Sequence, residues 1–181
     1  AQRQRTTTTG AANMVATSNR RKERRRKDNR RARILDAAAH CFSRAGYEGT
    51  SVRNISSAAG ILPGSMYYHF ASKEEVLGAV HDEGVRKVKT KVAEAIARES
   101  EPWARLEAAC AAHLEALHAA KEYGSVIATE FPRRHSKNLR ARMIAERDGY
   151  ENIFRELIDA LPLRPDANRK YLRLSLIGAM A

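Results

Sequence analysis

Apolar side chains recur every three or four residues along nearly the whole chain after residue 30, which is the spacing of one face of an α-helix. Alanine, leucine, glutamate and arginine, which are good helix formers, recur within this pattern, and aromatic residues make up only 6% of the sequence. No stretch alternates apolar and polar residues with the period of two that a half-buried β-strand requires. The sequence therefore predicts an all-α protein.

Glycine, proline and capping residues divide this pattern into helices. A first helix is expected to begin near Asn29 and to end at a C-terminal cap, Gly46. A short second helix follows a pair of hydroxyl capping residues and ends at Gly60. A third is expected from Pro63 to Phe70, because the fixed φ of proline suits a first helical turn.

Similar signals predict the helices of the second half. Ser72 and Glu75 have the spacing of a capping box, which opens a long fourth helix expected to reach about Arg98. Pro102 begins a fifth helix, and Gly124 marks a break or bend.

Three further helices complete the expected layout. A brief one is stopped by Pro132, a long one runs from about Asn138 to Leu161, and a last one covers Tyr171 to Met180. The last is apolar on nearly every side, as expected of a helix packed both on its own core and against a partner. Because the sequence ends inside this apolar helix without a cap, we expect the natural protein to continue beyond Ala181.

Positive charge is concentrated at the N-terminus. The formal net charge is +12, and residues 1–33 hold twelve Lys or Arg against two acids. Residues 1–28 also lack apolar periodicity, so a disordered basic arm is expected there. Such an arm is typical of a tail that binds a polyanion, and a solvated leader that aids solubility is the alternative.

Several classes of protein are disfavoured. The two cysteines are far apart within helical patterns, so no disulfide framework is indicated, and no apolar run reaches the roughly 18 residues of a membrane span. No signal peptide is recognisable, so a cytoplasmic location without membrane contact is expected. The sequence contains no Gly-rich phosphate loop, HExxH motif or nucleophile elbow, so no enzyme and no cofactor are predicted.

A metal site is also disfavoured. Cys110 and His113 stand three residues apart on a predicted helix, and His118 and His135 follow later in the chain. They lack a second ligand pair at helical spacing, which a protein metal site would need.

The second helix, the turn at Gly60 and the third helix have the layout of a DNA-binding helix-turn-helix. Apolar residues would lock the two helices together, and these are Ile55, Ala59, Ile61, Met66 and Phe70. Short helices joined through glycine also occur in enzymes and bundles, so the layout alone leaves the function open.

Residues 46–77, GYEGTSVRNISSAAGILPGSMYYHFASKEEVL, resemble the N-terminal domain of the TetR family of regulators almost position by position. The resemblance implies a DNA-binding domain over 29–78 and an effector-binding and dimerisation domain over 79–181. It also implies that the last helices form a homodimer, and the residues expected there are Tyr171, Leu174, Ser175 and Gly178.

The resemblance also assigns contacts to double-stranded operator DNA. The matching positions are Thr50, Ser51, Arg53, Pro63, Gly64, Ser65, Tyr67, Tyr68, His69 and Lys73. Ser65 and Tyr68 are the best candidates for contacts with base edges, and hydroxyls and the lysine suit phosphate oxygens. Two alternatives stay open: Tyr67 packs partly in the core, and Thr50 serves only as a cap.

This sequence departs from the family pattern in charge. Many members carry a lysine before the glycine of the third helix, where Leu62 and Pro63 stand here. Residues 34–79 contain three basic side chains against four acids. We therefore expect the N-terminal arm to compensate by following the phosphates or by entering the adjacent minor groove.

The effector pocket is expected where polar groups interrupt apolar helical faces. One such group is His113, near Leu117, and another is Arg147, near Tyr150 and Phe154. An arginine on a buried face must be paired, so Arg147 either meets an acid such as Glu130 or receives an anionic ligand. His113 is either a hydrogen-bonded core residue or a ligand contact.

Two stretches, GILPGSMYYHFASKEE and ARMIAERDGYENIFREL, also resemble TetR-type regulators of lipid, steroid or acyl-CoA catabolism. This similarity implies an acyl-CoA thioester as effector, with its phosphates bound by Arg133, Arg134, Arg140 or Arg147. The resulting hypothesis is a repressor that binds a palindromic operator as a homodimer and is released by the effector. A nonspecific or architectural DNA-binding dimer and an activator remain alternatives.

Overall fold

The computed structural model describes residues 8–129 and 135–180, with side chains for 21, 24–128 and 135–180. Every regular element in these ranges is an α-helix, which confirms the predicted all-α class. The helices are α1 (Thr8–Gly49), α2 (Val52–Ala58), α3 (Pro63–Met66), α4 (Lys73–Ile96), α5 (Pro102–Ala119), α6 (Lys121–Thr129), α7 (Lys137–Asp159) and α8 (Arg169–Met180).

The first helix begins earlier than predicted. Helix α1 starts at Thr8 rather than near Asn29, so the described part of the expected disordered arm is helical. The side chains described from Arg24 to Arg33 are all exposed, in keeping with the lack of apolar periodicity there. Residues before Ile34 are rich in Ala, Arg and Lys, however, and a helix that is already packed from Ile34 onward can extend through good helix formers at little cost. The backbone leaves helical geometry at Gly46 (φ 67°), the predicted cap.

Two other boundaries differ from the expectation. Helix α5 ends at Ala119 and α6 runs through Gly124, because this glycine serves close packing rather than a turn: a Cβ there would lie 3.1 Å from the carbonyl oxygen of Leu117. Helix α3 is a single turn that ends at Met66 rather than at Phe70. The predicted stop at Pro132 lies outside the described residues.

The described residues form two hydrophobic cores that share α4. The first core joins α1, α2 and the α3 segment to the start of α4 and to α6 and α7, with Tyr123, Leu139 and Met143 among its buried members. The second joins the end of α4 to α5, α7 and α8 around Phe154 and Leu161. Helix α6 therefore packs directly against α1, and both α6 and α7 pack against α4. No helix in the described part of the chain is both long and apolar enough to cross a membrane.

Candidate nucleic-acid interface

The helix-turn-helix is held by a small, fully buried core. Ile55, Ala59, Met66 and Phe70 are at most 4% exposed, as predicted for the residues that lock the two helices, and Ile61 packs partly buried against them. Gly60 has φ 63°, a left-handed conformation that glycine adopts without strain. The turn therefore fixes the angle between α2 and α3.

The outer side of α3 carries large side chains that the fold leaves exposed. Tyr68 is 88% exposed, Leu62 is 76% exposed and Tyr67 is 58% exposed. Pro63 and Gly64 are exposed, and a Cβ on Gly64 would meet no atom within 4 Å. The alternative that Tyr67 packs in the core is not supported. This surface, formed by Leu62 to Ser65 with Tyr67 and Tyr68, is called the α3 surface below.

Two predicted phosphate contacts serve the fold instead. The Thr50 side chain is buried, and its hydroxyl lies 2.8 Å from the carbonyl oxygen of Gly46 and 3.1 Å from that of Cys41. The Lys73 ammonium donates to the carbonyl oxygens of Tyr47 at 2.7 Å and Thr50 at 2.9 Å, and it lies 4.0 Å from the centre of the Tyr47 ring. Both groups stabilise the end of α1, where several carbonyl groups lack helical partners.

The remaining predicted contacts border the α3 surface. Ser51 caps α2 by accepting a hydrogen bond from the backbone N–H of Asn54, and Arg53 is exposed in the first turn of the helix. His69 is half-buried, and its Nδ1 has no hydrogen-bond partner in the described part of the molecule. Burial lowers the pKa of His69, as do the nearby charges of Lys27, Arg30 and Arg31, so the ring favours its neutral form.

Three of the predicted effector residues, His113, Tyr150 and Phe154, form an aromatic cluster between α5 and α7. His113 Nδ1 lies 2.6 Å from the Tyr150 hydroxyl, and the two rings stack at 5.6 Å. Phe154 packs edge-on against both rings. Burial lowers the pKa of His113 and raises the pKa of Tyr150, so the pair is uncharged at neutral pH. This geometry matches a hydrogen-bonded core histidine.

The prediction that Arg147 lies on a buried face is wrong. Its side chain is 62% exposed and lies 3.7 Å from Glu151, four residues later on α7. The other proposed acid, Glu130, lies outside the described residues, as do Arg133 and Arg134. The apolar spacing along α7 was therefore a misleading indication of burial. Ile144, on the same predicted apolar face, is also 39% exposed.

A cavity of about 890 Å³ opens elsewhere, between α1, α4, α5 and α6. None of the five predicted effector residues lines it. Small side chains such as Ala112, Ala116 and Ala119 line it, together with four acidic side chains and four basic groups on or just after α4. Those basic groups are Arg86, Lys87, Lys91 and Arg98.

Three side chains at the wall of this cavity join three helices. The Tyr123 hydroxyl on α6 donates to Asp36 Oδ1 on α1 at 2.7 Å. The Lys87 ammonium on α4 lies 3.8 Å from the same oxygen and 3.9 Å above the Tyr123 ring. Burial and the Asp36 carboxylate raise the pKa of Tyr123, so the hydroxyl remains a hydrogen-bond donor. No sequence pattern connected these residues, because they are separated by many residues in the chain. We call them the Asp36 junction.

Helix α8 leaves an apolar surface uncovered. Tyr171 is 66% exposed, Leu174 is 48% exposed and Leu172 is 37% exposed, while Met180 packs into the second core. Ser175 and Gly178 are exposed on the same helix. The four residues expected at a dimer interface are thus all accessible in the single chain. No group of three metal-binding side chains occurs among the residues described.

An all-helical chain with an exposed α3 and a short glycine turn has the architecture of a helix-turn-helix DNA-binding protein. Two family models match it: "Bacterial regulatory proteins, tetR family" over residues 34–80 and "Tetracyclin repressor-like, C-terminal domain" over residues 99–180. The chain belongs to the TetR family of bacterial regulators. This confirms the resemblance found in the sequence.

Individual relatives give the range of similarity. The HTH-type transcriptional repressor KstR2 of Rhodococcus jostii is 39% identical over 90 residues, which are 50% of this chain and 44% of that protein. The matched segment thus spans less than half of this curated relative. The crystal structure of a protein described as the superantigen PfiT is 31% identical, covers 83% of this chain and 81% of its own, and has a TM-score of 0.74.

A third relative shares the fold. The crystal structure of AibR, described as a complex with isovaleryl coenzyme A and operator DNA, is 22% identical, covers 83% of each chain and has a TM-score of 0.72. At this identity the similarity concerns the fold alone.

Proposed function

We propose that this protein is a transcriptional repressor that binds a two-fold symmetric operator as a homodimer through the α3 surface. The observation that carries the proposal is the exposure of Tyr68, Tyr67 and Leu62 around a single-turn helix whose core side is fully buried. Large exposed side chains on a rigid turn bury little area in the fold, but they suit contacts with base edges and thymine methyl groups in the major groove.

The test compares a variant on the α3 surface with a control variant at an exposed position on α5. Tyr68→Ala is expected to weaken binding to a duplex selected from a random pool by about 5- to 150-fold, since a base contact contributes roughly 1–3 kcal/mol. Leu114→Ala removes a side chain that is 50% exposed on α5, away from α3, and should bind normally. Equal affinity of Tyr68→Ala and the parent protein in a gel-shift titration would refute a role for the α3 surface.

A nonspecific architectural role is the competing function, and the charge of residues 1–33 favours it. Competition separates the two. A repressor keeps its protected site in the presence of excess random DNA, whereas a protein that binds only through charge loses it. One competition experiment on the full chain therefore tests both functions.

For the effector we propose an acyl-CoA thioester in the cavity between α1, α4, α5 and α6. The ligands in the AibR structure support this class. The cavity supports it further, because small apolar side chains suit an acyl chain and the basic groups of α4 suit phosphates. A ligand whose phosphates bind Lys87 competes with Asp36, and loss of the Asp36 junction would loosen α1 from α4 and α6.

Calorimetry with isovaleryl-, octanoyl- and free coenzyme A tests this assignment. Lys91→Ala and Arg98→Ala should weaken thioester binding, whereas Arg147→Gln, which removes an exposed charge on α7, should not. The thioester should lower DNA affinity, and DNA should lower thioester affinity by the same factor. Binding that depends on Arg147 instead, or no binding of any thioester, would contradict the proposed site.

A further inference from the structure

Two contacts with the helix-turn-helix fix the direction in which the basic N-terminal segment of α1 extends. Arg33 on α1 donates to the carbonyl oxygen of Ala59 at 2.8 Å, beside the turn between α2 and α3. The Arg31 guanidinium lies 5.3 Å from the centre of the Phe70 ring. Because α1 is one continuous helix from Thr8 to its kink at Gly46, these contacts set the direction of the helix back to Thr8.

The same segment presents unshielded positive charge beside the α3 surface. Residues 24–33 are all exposed, and Asp28 is the single acid among them. The charges of Lys27, Arg30 and Arg31 reach His69, the neighbour of Tyr68, and help to lower its pKa. Helical spacing places Arg24 one turn before Lys27. The positive charge of this segment therefore lies next to the proposed DNA site, whose own helices carry little net charge.

We propose that residues 8–33 form a rigid helical arm that binds the phosphate backbone of duplex DNA next to the half-site and stays outside the minor groove. The proposal rests on the proposed operator binding, which positions α3 against DNA. An α-helix with its side chains is about 10–12 Å wide, whereas the minor groove is about 6 Å wide, so a helical arm cannot enter it.

The length of the arm defines the DNA that it reaches. At about 1.5 Å per residue, the segment 8–33 is about 39 Å long, slightly more than one duplex turn of about 34 Å. It therefore reaches about 12 base pairs of flanking DNA at most. Because phosphates are the same at every base pair, this contact adds affinity and salt dependence without adding sequence preference.

The first experiment removes charge. Arg24→Gln/Lys27→Gln/Arg30→Gln changes three exposed side chains, and Arg147→Gln/Arg155→Gln/Arg164→Gln removes the same charge from exposed positions in the C-terminal half. Binding to the selected duplex with 12-base-pair flanks is titrated at several salt concentrations. The arm variant should lose affinity, and its slope of log K against log salt should become shallower by about 0.9 for each lost phosphate contact. The control should keep the parent slope.

The second experiment keeps the charge and breaks the helix. Asn29→Pro leaves all basic residues in place but removes a backbone donor within α1, and circular dichroism measures the loss of helix. A rigid arm predicts reduced affinity and a shallower salt slope for this variant as well. Parent-like binding by Asn29→Pro would show a flexible tail and overturn the proposal, as would parent-like binding by the triple arm variant.

The third experiment changes the flanks from A·T to G·C pairs. If the arm lies along the phosphates, the protein should bind both duplexes with equal affinity. If the arm enters the minor groove, the protein should bind the duplex with A·T flanks more tightly. Such a preference would overturn the proposal. If the protein selects no symmetric site at all, the proposed function fails, and the salt slopes on random duplex still report whether the arm binds phosphates.

Discussion

At the scale of single residues, the geometry of the helix-turn-helix depends most on Gly60. Its φ of 63° is unfavourable for any residue with a Cβ, and a Cβ there would also lie 3.3 Å from the Arg33 guanidinium. Gly60→Ala is therefore expected to lower the free energy of unfolding by about 1–2 kcal/mol. Chemical denaturation measures the change, and Gly64→Ala, which meets open space, is the control. Equal losses for the two variants would contradict this role of Gly60.

Lys73 gives a second prediction at this scale. Its ammonium donates to two carbonyl oxygens at the end of α1 and lies over the Tyr47 ring. Lys73→Met keeps the length of the side chain but leaves those carbonyls without a charged donor, so the free energy of unfolding should fall by about 1–3 kcal/mol.

A DNA-binding measurement distinguishes a structural role of Lys73 from a phosphate contact. A structural lysine predicts that the folded Lys73→Met variant keeps the parent salt slope for DNA. If stability were unchanged and the slope of log K against log salt became shallower by about 0.9, the lysine would instead be a phosphate contact.

At the scale of elements, most helices could be predicted because their signals are local. The glycine caps at Gly46 and Gly60 and the serine caps of α2 and α4 depend on a few neighbouring residues. The capping box of α4 differs from the prediction in one bond. Glu75 accepts a hydrogen bond from the backbone N–H of Ala71 rather than from that of the cap residue.

The sequence was a poor guide where tertiary packing decides. Gly124 has the residue type of a helix break, yet it is required by close contact with α5. Arg147 shares a helical face with apolar residues, yet its side chain is 62% exposed to solvent. Thr50 has the residue type of a surface cap, yet its hydroxyl turns inward to bond carbonyls of α1. For Gly124 and Thr50 the deciding neighbour lies on another helix.

A hydrogen bond between α4 and the cap of α7 provides a prediction at the scale of elements. Glu74 Oε1 accepts a hydrogen bond of 2.6 Å from the backbone N–H of Ser136, the cap of α7. This bond lowers the pKa of Glu74 below its ordinary value of 4.5. A lowered folded-state pKa stabilises the protein above the unfolded value, and the stabilisation is lost as the pH falls through the folded value.

Glu74→Gln should therefore be less stable than the parent near pH 7, by about 0.5–1 kcal/mol at this partly exposed site. The difference should shrink as the pH falls below about 4.5 and disappear below the lowered pKa of Glu74 in the folded protein. Glu99→Gln, at an exposed position, is the control for removal of one negative charge. Denaturation curves across this pH range measure the effect, and a difference that stays constant with pH would show that the charge of Glu74 does not strengthen the link.

At the scale of the whole molecule, the proposed dimer depends on α8. Leu174→Asp is expected to shift the protein towards monomer, because Leu174 lies on the uncovered apolar surface and a charge buried in an interface is costly. Leu114→Asp, at similar exposure on α5, should leave the oligomeric state unchanged. Sedimentation velocity distinguishes the two outcomes. If both variants sediment as the parent does, the interface lies elsewhere.

The central claim is that two copies of the chain present α3 to successive major grooves of one operator. Footprinting on a selected duplex, in excess random DNA, tests it most directly. The account predicts a protected site with two halves related by two-fold symmetry, centred one duplex turn apart or a multiple of it, about 34–36 Å per turn. Protection without symmetry, or protection that random DNA abolishes, would contradict it.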